Sequence, residues 1–309
     1  MNDGLHRRSL MAGAAASWIA AGAARAQPAP LTFLALGDWG RGGGRHQREV
    51  AEAMASTAAE RNGQFVLSAG DNFYPCGVQS VADPHWTASF EEIYAAAALQ
   101  TPWYAALGNH DYRGKPAAQI AYAKVSPRWR MPARYYALRG AGAVVPDLDI
   151  FVLDTTPITG DFGEALMRLS QGRVSAPDAA PQVAWLEREL AASEARWKIV
   201  VGHHPIRSGG HHGGSPALAA QVEPLLERYG VQAYICGHDH ALQHIQVGAT
   251  HHVCSGAGSS AGHVEAVEGT RFALGLPGFT SFTLDRGGLA LRFHTAGGDV
   301  VYEAALRQT

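Results

Sequence analysis

Cysteine is scarce in this chain, with only Cys76, Cys236 and Cys254 among 309 residues. Three thiols build no disulfide framework, so the fold must rest on its apolar core, and no disulfide is expected. Cys236 and Cys254 sit in apolar, strand-like runs and read as small buried residues, while Cys76 has no partner of its own. Excess positive charge is also missing: 25 Lys and Arg stand against 27 Asp and Glu, a formal net charge of −2. No basic stripe is left to hold a nucleic-acid backbone. The Ala-rich run from Ala12 to Ala24 has 13 residues, short of the roughly 20 that span a bilayer. There is no repeat of fixed period and no low-complexity linker, which points to one large domain. The Gly-rich turn Gly42 to Gly44 lacks the Lys-Ser/Thr of a nucleotide-binding loop, so its backbone is given no phosphate-cradling role.

What is present begins with an export pattern. Arg7-Arg8-Ser9-Leu10-Met11, the Ala-rich run and Ala24-Arg25-Ala26 together read as a signal peptide over residues 1–26 of the twin-arginine type. Its removal takes away Arg7, Arg8, Arg25 and Asp3 and leaves residues 27–309 with a formal charge of −4. The mature protein is expected in the periplasm or secreted, without a membrane anchor, as a monomer.

Five apolar runs each end in a polar loop. Leu31 to Leu36 delivers Gly37-Asp38, Phe65 to Ala69 delivers Gly70-Asp71-Asn72-Phe73-Tyr74, and Trp103 to Leu107 delivers Gly108-Asn109-His110. Trp197 to Val201 delivers Gly202-His203-His204, and Gln232 to Cys236 delivers Gly237-His238-Asp239-His240. Continuous apolar runs of this length read as buried parallel strands, and open α/β sheets carry their chemistry beyond the carboxyl ends of such strands. Asp71 could bridge two hard cations, and a phenolate three residues on, Tyr74, suits a highly charged metal such as Fe(III). Taken alone, the Asp71 loop reads equally well as a βα turn with an Asp helix cap, and Asn109-His110 as a plain turn. Of His203, His204, His211 and His212, the residue at the strand end, His203, is the expected ligand. Two histidines spaced as His238 and His240 can aim ring nitrogens at two adjacent metals. Helices are expected from about Pro84 to Leu99 and from about Pro216 to Tyr229, and the short late strands, from Gln243 to Val247 through Val300 to Ala304, are expected to form the second sheet.

The ordered set Asp38, Asp71-x-x-Tyr74, Asn109-His110, His203 and His238-x-His240 resembles the calcineurin-like metallophosphoesterases. With Tyr74 present, it resembles the small, mammalian-type purple acid phosphatases, also called tartrate-resistant acid phosphatases, from about Leu31 to Leu306. The likeness extends to Gln119-Ile120-Ala121-Tyr122, Arg128-Trp129-Arg130 and Ser255-Gly256-Ala257-Gly258. It implies an α/β fold, a four-layer α/β/β/α sandwich of two mixed sheets flanked by helices. It also implies Fe(III) on Asp38, Asp71, Tyr74 and His240, and a second divalent metal (Fe, Zn or Mn) on Asp71, Asn109, His203 and His238. His110 and His212 match the two histidines that face the substrate. The implied activity is hydrolysis of small phosphate monoesters by a metal-bound hydroxide at acidic pH. The alternatives are a phosphodiesterase or nucleotide hydrolase on the same fold, or a non-catalytic metal-binding module.

Two departures stand out. His211 occupies a position where mammalian members carry Glu, which puts the local pH dependence in doubt. The irregular stretch Gly160 to Ala180, read as a loop over the site, lacks the cysteine of the mammalian loop, so redox or proteolytic control does not transfer.

Overall fold

The computed structural model describes Met1 and residues 30–142, 144, 147–162 and 177–306. The proposed signal peptide and most of the Gly160 to Ala180 loop lie outside the described residues. Among those described, fourteen strands form in the order β1 (Leu31–Leu36), β2 (Gly63–Ser68), β3 (Trp103–Ala105), β4 (Trp129–Arg130), β5 (Tyr136–Leu138), β6 (Leu148–Val152), β7 (Trp197–Val201), β8 (Ala233–Cys236), β9 (Leu242–Gln246), β10 (His251–Ser255), β11 (Thr270–Leu274), β12 (Gly278–Asp285), β13 (Gly288–Thr295) and β14 (Val300–Leu306). They make two seven-stranded sheets, β14-β13-β12-β1-β2-β3-β4 and β11-β9-β10-β8-β7-β6-β5. Both are mixed. β1 to β4 run parallel, with an antiparallel meander β12 to β14 on the β1 edge. β6, β7, β8 and β10 run parallel, flanked by antiparallel β5 and β9.

Strand alternation sorts the core into layers. On the second sheet Ile150, Val152, Ile199, Val201 and Ile235 belong to the larger core cluster, together with first-sheet residues such as Phe33, Leu34 and Phe65. Phe151, Val200 and Tyr234 point the other way, onto Leu186, Leu190, Leu218 and Leu226. Those leucines come from α4 (Ala180–Ala191), α5 (Pro216–Gln221) and α6 (Glu223–Arg228), preceded in the chain by α1 (Gln47–Arg61), α2 (Pro116–Tyr122) and α3 (Thr156–Thr159). α1 covers the first sheet with Val50, Met54 and Ala58.

Three elements differ from the sequence expectation. The helix expected from Pro216 to Tyr229 is two helices broken at Val222, because Pro224 has no N–H to continue the ladder. The helix expected from Pro84 to Leu99 is a wide turn at Thr87–Glu91 and a 3₁₀ turn at Ala97–Leu99. There the Glu92 N–H bonds Thr87 O, five residues back, and Trp86, Phe90 and Tyr94 all reach one aromatic cluster with Trp39, Trp103 and Trp129. Burial of those rings outweighs helix propensity. The late strands were expected to belong to the second sheet, yet β12 pairs with β1, from Leu31↔Leu284 to Ala35↔Thr280, and carries β13 and β14 onto the first.

The aromatic cluster also anchors the loops. Trp39 directly follows Asp38, and its Nε1–H donates to Ser68 Oγ at 2.8 Å; Ser68 in turn donates to Asn72 Oδ1 at 2.5 Å. Phe73, between Asn72 and Tyr74, packs on Trp86 with ring centroids 4.5 Å apart. Losing such a ring to Ala costs about 3–5 kcal/mol and would release the Asp38 and Asp71 loops together.

Candidate metal centre

The carboxyl ends of β1, β2, β3, β7 and β8 meet where the two sheets pack. Backbone bonds lock the loops to one another: Gly37 N to Ser255 O, Asp38 N to Gly70 O, and Gly237 N to His203 O. Gly258 N also donates to Gly37 O, which places Ser255 to Gly258 directly against the Asp38 loop. Only glycine fits at two of these positions. A Cβ on Gly108 would lie 2.2 Å from Asp71 Oδ1, and one on Gly237 would lie 2.4 Å from Asp38 Oδ2. Asp38, Asp71 and His238 all adopt left-handed backbone, with φ of 62°, 50° and 69°. This conformation is strained for non-glycine residues and collects at functional sites.

Donor atoms converge in two groups. Tyr74 Oη lies 2.8 Å from Asp38 Oδ1, 2.7 Å from Asp71 Oδ2 and 3.2 Å from His240 Nε2. His203 Nε2 lies 3.1 Å from Asn109 Oδ1, 3.2 Å from His238 Nδ1 and 3.5 Å from Asp71 Oδ1. The two oxygens of Asp71 therefore face different groups. Atoms about 3 Å apart have the edge length of a coordination shell with ligand bonds of about 2.1 Å. Outer contacts orient the rings: His203 Nδ1–H donates to Ala69 O at 2.9 Å, turning Nε2 inward, and His240 Nδ1 meets Ser260 Oγ at 3.0 Å.

The charge balance asks for a cation. Asp38 and Asp71 are buried, and among the described residues neither has a Lys or Arg ion-pair partner. Burial lowers His203 to about 3, so that ring stays neutral, as a metal ligand must. Burial also depresses His238, with His203 and His204 adding to the effect. His240 goes the other way, because hydrogen bonding and charge from Asp38 outweigh its burial. Burial, then the charges of Asp38 and Asp71, push the Tyr74 phenol well above its ordinary range. Two buried carboxylates around one phenol are costly unless positive charge sits among them. The donor set thus fits two cations, one hard and oxygen-rich, one with more nitrogen.

The calcineurin-like phosphoesterase family pattern matches residues 31–242. Tartrate-resistant acid phosphatase type 5 of Oryctolagus cuniculus is 40% identical over 240 residues, covering 74% of this chain and 73% of the relative. Purple acid phosphatase 7 of Arabidopsis thaliana is 37% identical over 292 residues, covering 89% and 86%. This chain belongs to the purple acid phosphatases.

Membership in the purple acid phosphatases makes it an acid phosphatase of the metallophosphoesterase kind, a hydrolase acting on phosphate esters. Among solved structures it is similar to one described as "GAP50 the anchor in the inner membrane complex of Plasmodium". That likeness has a TM-score of 0.77 and 26% identity over 91% of this chain and 90% of that one. Among the described residues, no helix is long and apolar enough to cross a membrane.

In this purple acid phosphatase the site includes residues that motif reading passed over. Asp111 is buried; Gly108 N, Asn72 N and Gln119 Nε2 donate to its carboxylate at 2.9, 3.1 and 2.8 Å. Burial, then the charge of Asp71, raise it to about 7. Its neighbour in the motif, His110, drew the attention, while the role of Asp111 in tying the Asp71 and Asn109 loops together emerges only in three dimensions. His204, set aside in favour of His203, is also buried: its Nδ1 meets Thr155 Oγ1 at 2.8 Å and its Nε2 lies 3.4 Å from Asp161 Oδ2. One of its ring nitrogens nonetheless lies within 4.8 Å of ligand-capable atoms of both His203 and His238. Asp161 brings the start of the Gly160 loop over the site, 3.7 Å from His238 Nε2.

His110 borders the Tyr74 group and His212 borders His238 of the other group. His110 donates its backbone N–H to Asp71 Oδ1 at 2.8 Å, and its Nδ1–H donates to Pro75 O at 2.7 Å. Its ring packs on Tyr74, centroids 4.3 Å apart. His212 donates its backbone N–H to Asp239 Oδ1 at 2.8 Å, and its exposed ring lies 4.2 Å from that of His238.

Proposed function

We propose that this purple acid phosphatase hydrolyses phosphate monoesters at a binuclear centre. Fe(III) would be held by Asp38, Asp71, Tyr74 and His240, and a divalent Fe, Zn or Mn by Asp71, Asn109, His203 and His238. The observation that carries this reading is the division of Asp71, one oxygen among the Tyr74 group and the other among the His203 group. When bound, the metals clamp phosphoryl oxygens, stabilise developing charge and acidify water, the trivalent ion most strongly.

The chain's own residues complete the reaction. With Nδ1 committed to Pro75 O, His110 presents Nε2 beside the bridging carboxylate, where it positions the phosphoryl group and offsets its charge. His212 has its backbone pinned by Asp239 and its ring in solvent, so it can reload a proton after each turnover. We assign it as the acid that protonates the departing alkoxide. The test compares alkyl with nitrophenyl phosphates in His212→Ala. A nitrophenolate departs unaided, so losses confined to alkyl esters are expected, and equal losses with metal content intact contradict the assignment.

A non-catalytic scaffold is favoured by one observation, the likeness to the Plasmodium anchor protein. Against it stand seven donor side chains, all present and converging. The paired arginines and the Ala24-Arg25-Ala26 ending support export by the twin-arginine route as residues 1–26, leaving 27–309 as a monomeric periplasmic or secreted domain.

A further inference from the structure

Beside the donor groups lies a cavity of about 660 Å³ whose lining includes Arg41, Arg45, Tyr74, Pro75, Asp83 and His85. It shares two residues with the metal centre. The ring whose hydroxyl joins Asp38 and Asp71 forms one wall, and the carbonyl of Pro75 holds His110. A phosphoryl group seated between Tyr74, Asp71 and His110 therefore has this cavity open to the remainder of its ester.

The cavity is positively charged and its walls are braced. The Arg41 guanidinium stacks 3.6 Å from the Tyr74 ring centre, and its Nε–H donates to Ser259 Oγ at 2.9 Å. Neither its terminal nitrogens nor Arg45 have a hydrogen-bond or ion-pair partner among the described residues. Asp83, the opposing charge, already accepts backbone N–H bonds from Gln79 at 2.8 Å and His85 at 3.0 Å. His85 has both ring nitrogens engaged, with Tyr74 O and Ser89 Oγ, each at 2.6 Å. Ser89 Oγ also accepts from Gly42 N at 2.7 Å, and Gln47 Oε1 accepts from Arg41 N and Gly43 N, both at 2.8 Å. The turn that presents the arginines is thus fixed, while its backbone donors near the cavity are spent internally. Two guanidiniums lining one pocket, that of Arg41 held in place and that of Arg45 exposed, offer the charge and the N–H donors that a second phosphate requires.

We infer that Arg41 and Arg45 form a leaving-group subsite selecting esters whose departing alcohol carries its own phosphate. The inference rests on the monoesterase reading above. The probes are fructose 1,6-bisphosphate and fructose 6-phosphate, each assayed for kcat/KM with the metal-loaded enzyme, Arg45→Gln and Arg41→Gln/Arg45→Gln. The expected result is a preference of about ten-fold or more for the bisphosphate. It should shrink in Arg45→Gln and vanish in the double variant, chiefly through KM. Iron content and the visible band report whether the variants keep their metals, since Arg41 touches Tyr74. A wild-type ratio near one, or a ratio the variants leave unchanged, overturns the subsite alone. No turnover of either ester or of nitrophenyl phosphate overturns the monoesterase reading and the subsite with it.

Discussion

Two clusters of buried histidine in this molecule look alike and are built for different ends. At the sheet ends, His203, His204 and His238 crowd together, with ligand-capable atoms within 4.8 Å of one another. Within the second sheet, His244 Nε2 meets His251 Nδ1 at 2.8 Å and His244 Nδ1 meets Tyr302 Oη at 2.9 Å. Burial depresses His203, to about 3, and His238 in the first set, and His244 and His251 in the second, to about 3 and about 4. The second set sits in β9 and β10, and its hydrogen bonds go to each other and to Tyr302. The first sits on loops, shares space with Asp38 and Asp71, and includes a left-handed residue. Neutral, hydrogen-bonded histidine is thus a packing solution available anywhere. A metal centre is marked by what surrounds the rings: carboxylates with no Lys or Arg ion pair among the described residues, donors at coordination-edge spacing, and loops held in unfavourable backbone.

If that distinction holds, substitutions in the two clusters should separate by orders of magnitude. Asp71→Asn should reduce turnover roughly 10³-fold or more and lower the bound metal, since several kcal/mol of charge stabilisation go with the bridge. His244→Gln should change neither metal content nor kcat. Atomic emission and nitrophenyl phosphate turnover measured on both variants decide this, and a comparable metal loss in His244→Gln would erase the contrast. His212→Ala should come next, with alkyl phosphates losing about 10² in kcat and nitrophenyl phosphate far less.

Tyr74→Phe should have a smaller effect on rate, because in the proposed assignment three donors would still hold the iron. The phenolate-to-Fe(III) visible band should vanish with it, and a variant that keeps the band would remove Tyr74 from the ligand set. The distal cluster makes a complementary prediction about stability. His244 and His251 have folded pKa values below their ordinary 6.5. The unfolded chain therefore binds protons that the folded chain refuses, and stability is complete above about 6.5 and declines toward pH 4. Burial is the main cause, with Arg271 and His252 adding repulsion. In His244→Gln/His251→Gln, thermal melting should depend less steeply on pH across that window; an unchanged slope would mean these rings do not set it.

Much of the centre was legible because strand-end loops place their residues by sequence alone. An apolar run followed by Gly-Asp, Gly-Asn-His or Gly-His-x-His identifies both the residue and the end of the sheet it occupies. Asp111, His204 and the arginine-lined cavity were not legible in that way. Their roles depend on contacts across long separations, Asp111 with Asn72 and Arg41 with Ser259. Local pattern also misjudged Pro84 to Leu99 and Pro216 to Tyr229, where aromatic packing and a single Pro224 decide the backbone. Sheet membership of β12 to β14 depends on which edge is free, a property of the assembled fold.

The central claim is that Asp71 divides two complete donor sets, and metal stoichiometry tests it most directly. Protein expressed with ample iron should contain two metal ions per chain, at least one of them iron, with a visible band that Tyr74→Phe abolishes. One metal ion per chain, or two with no iron, would contradict the account.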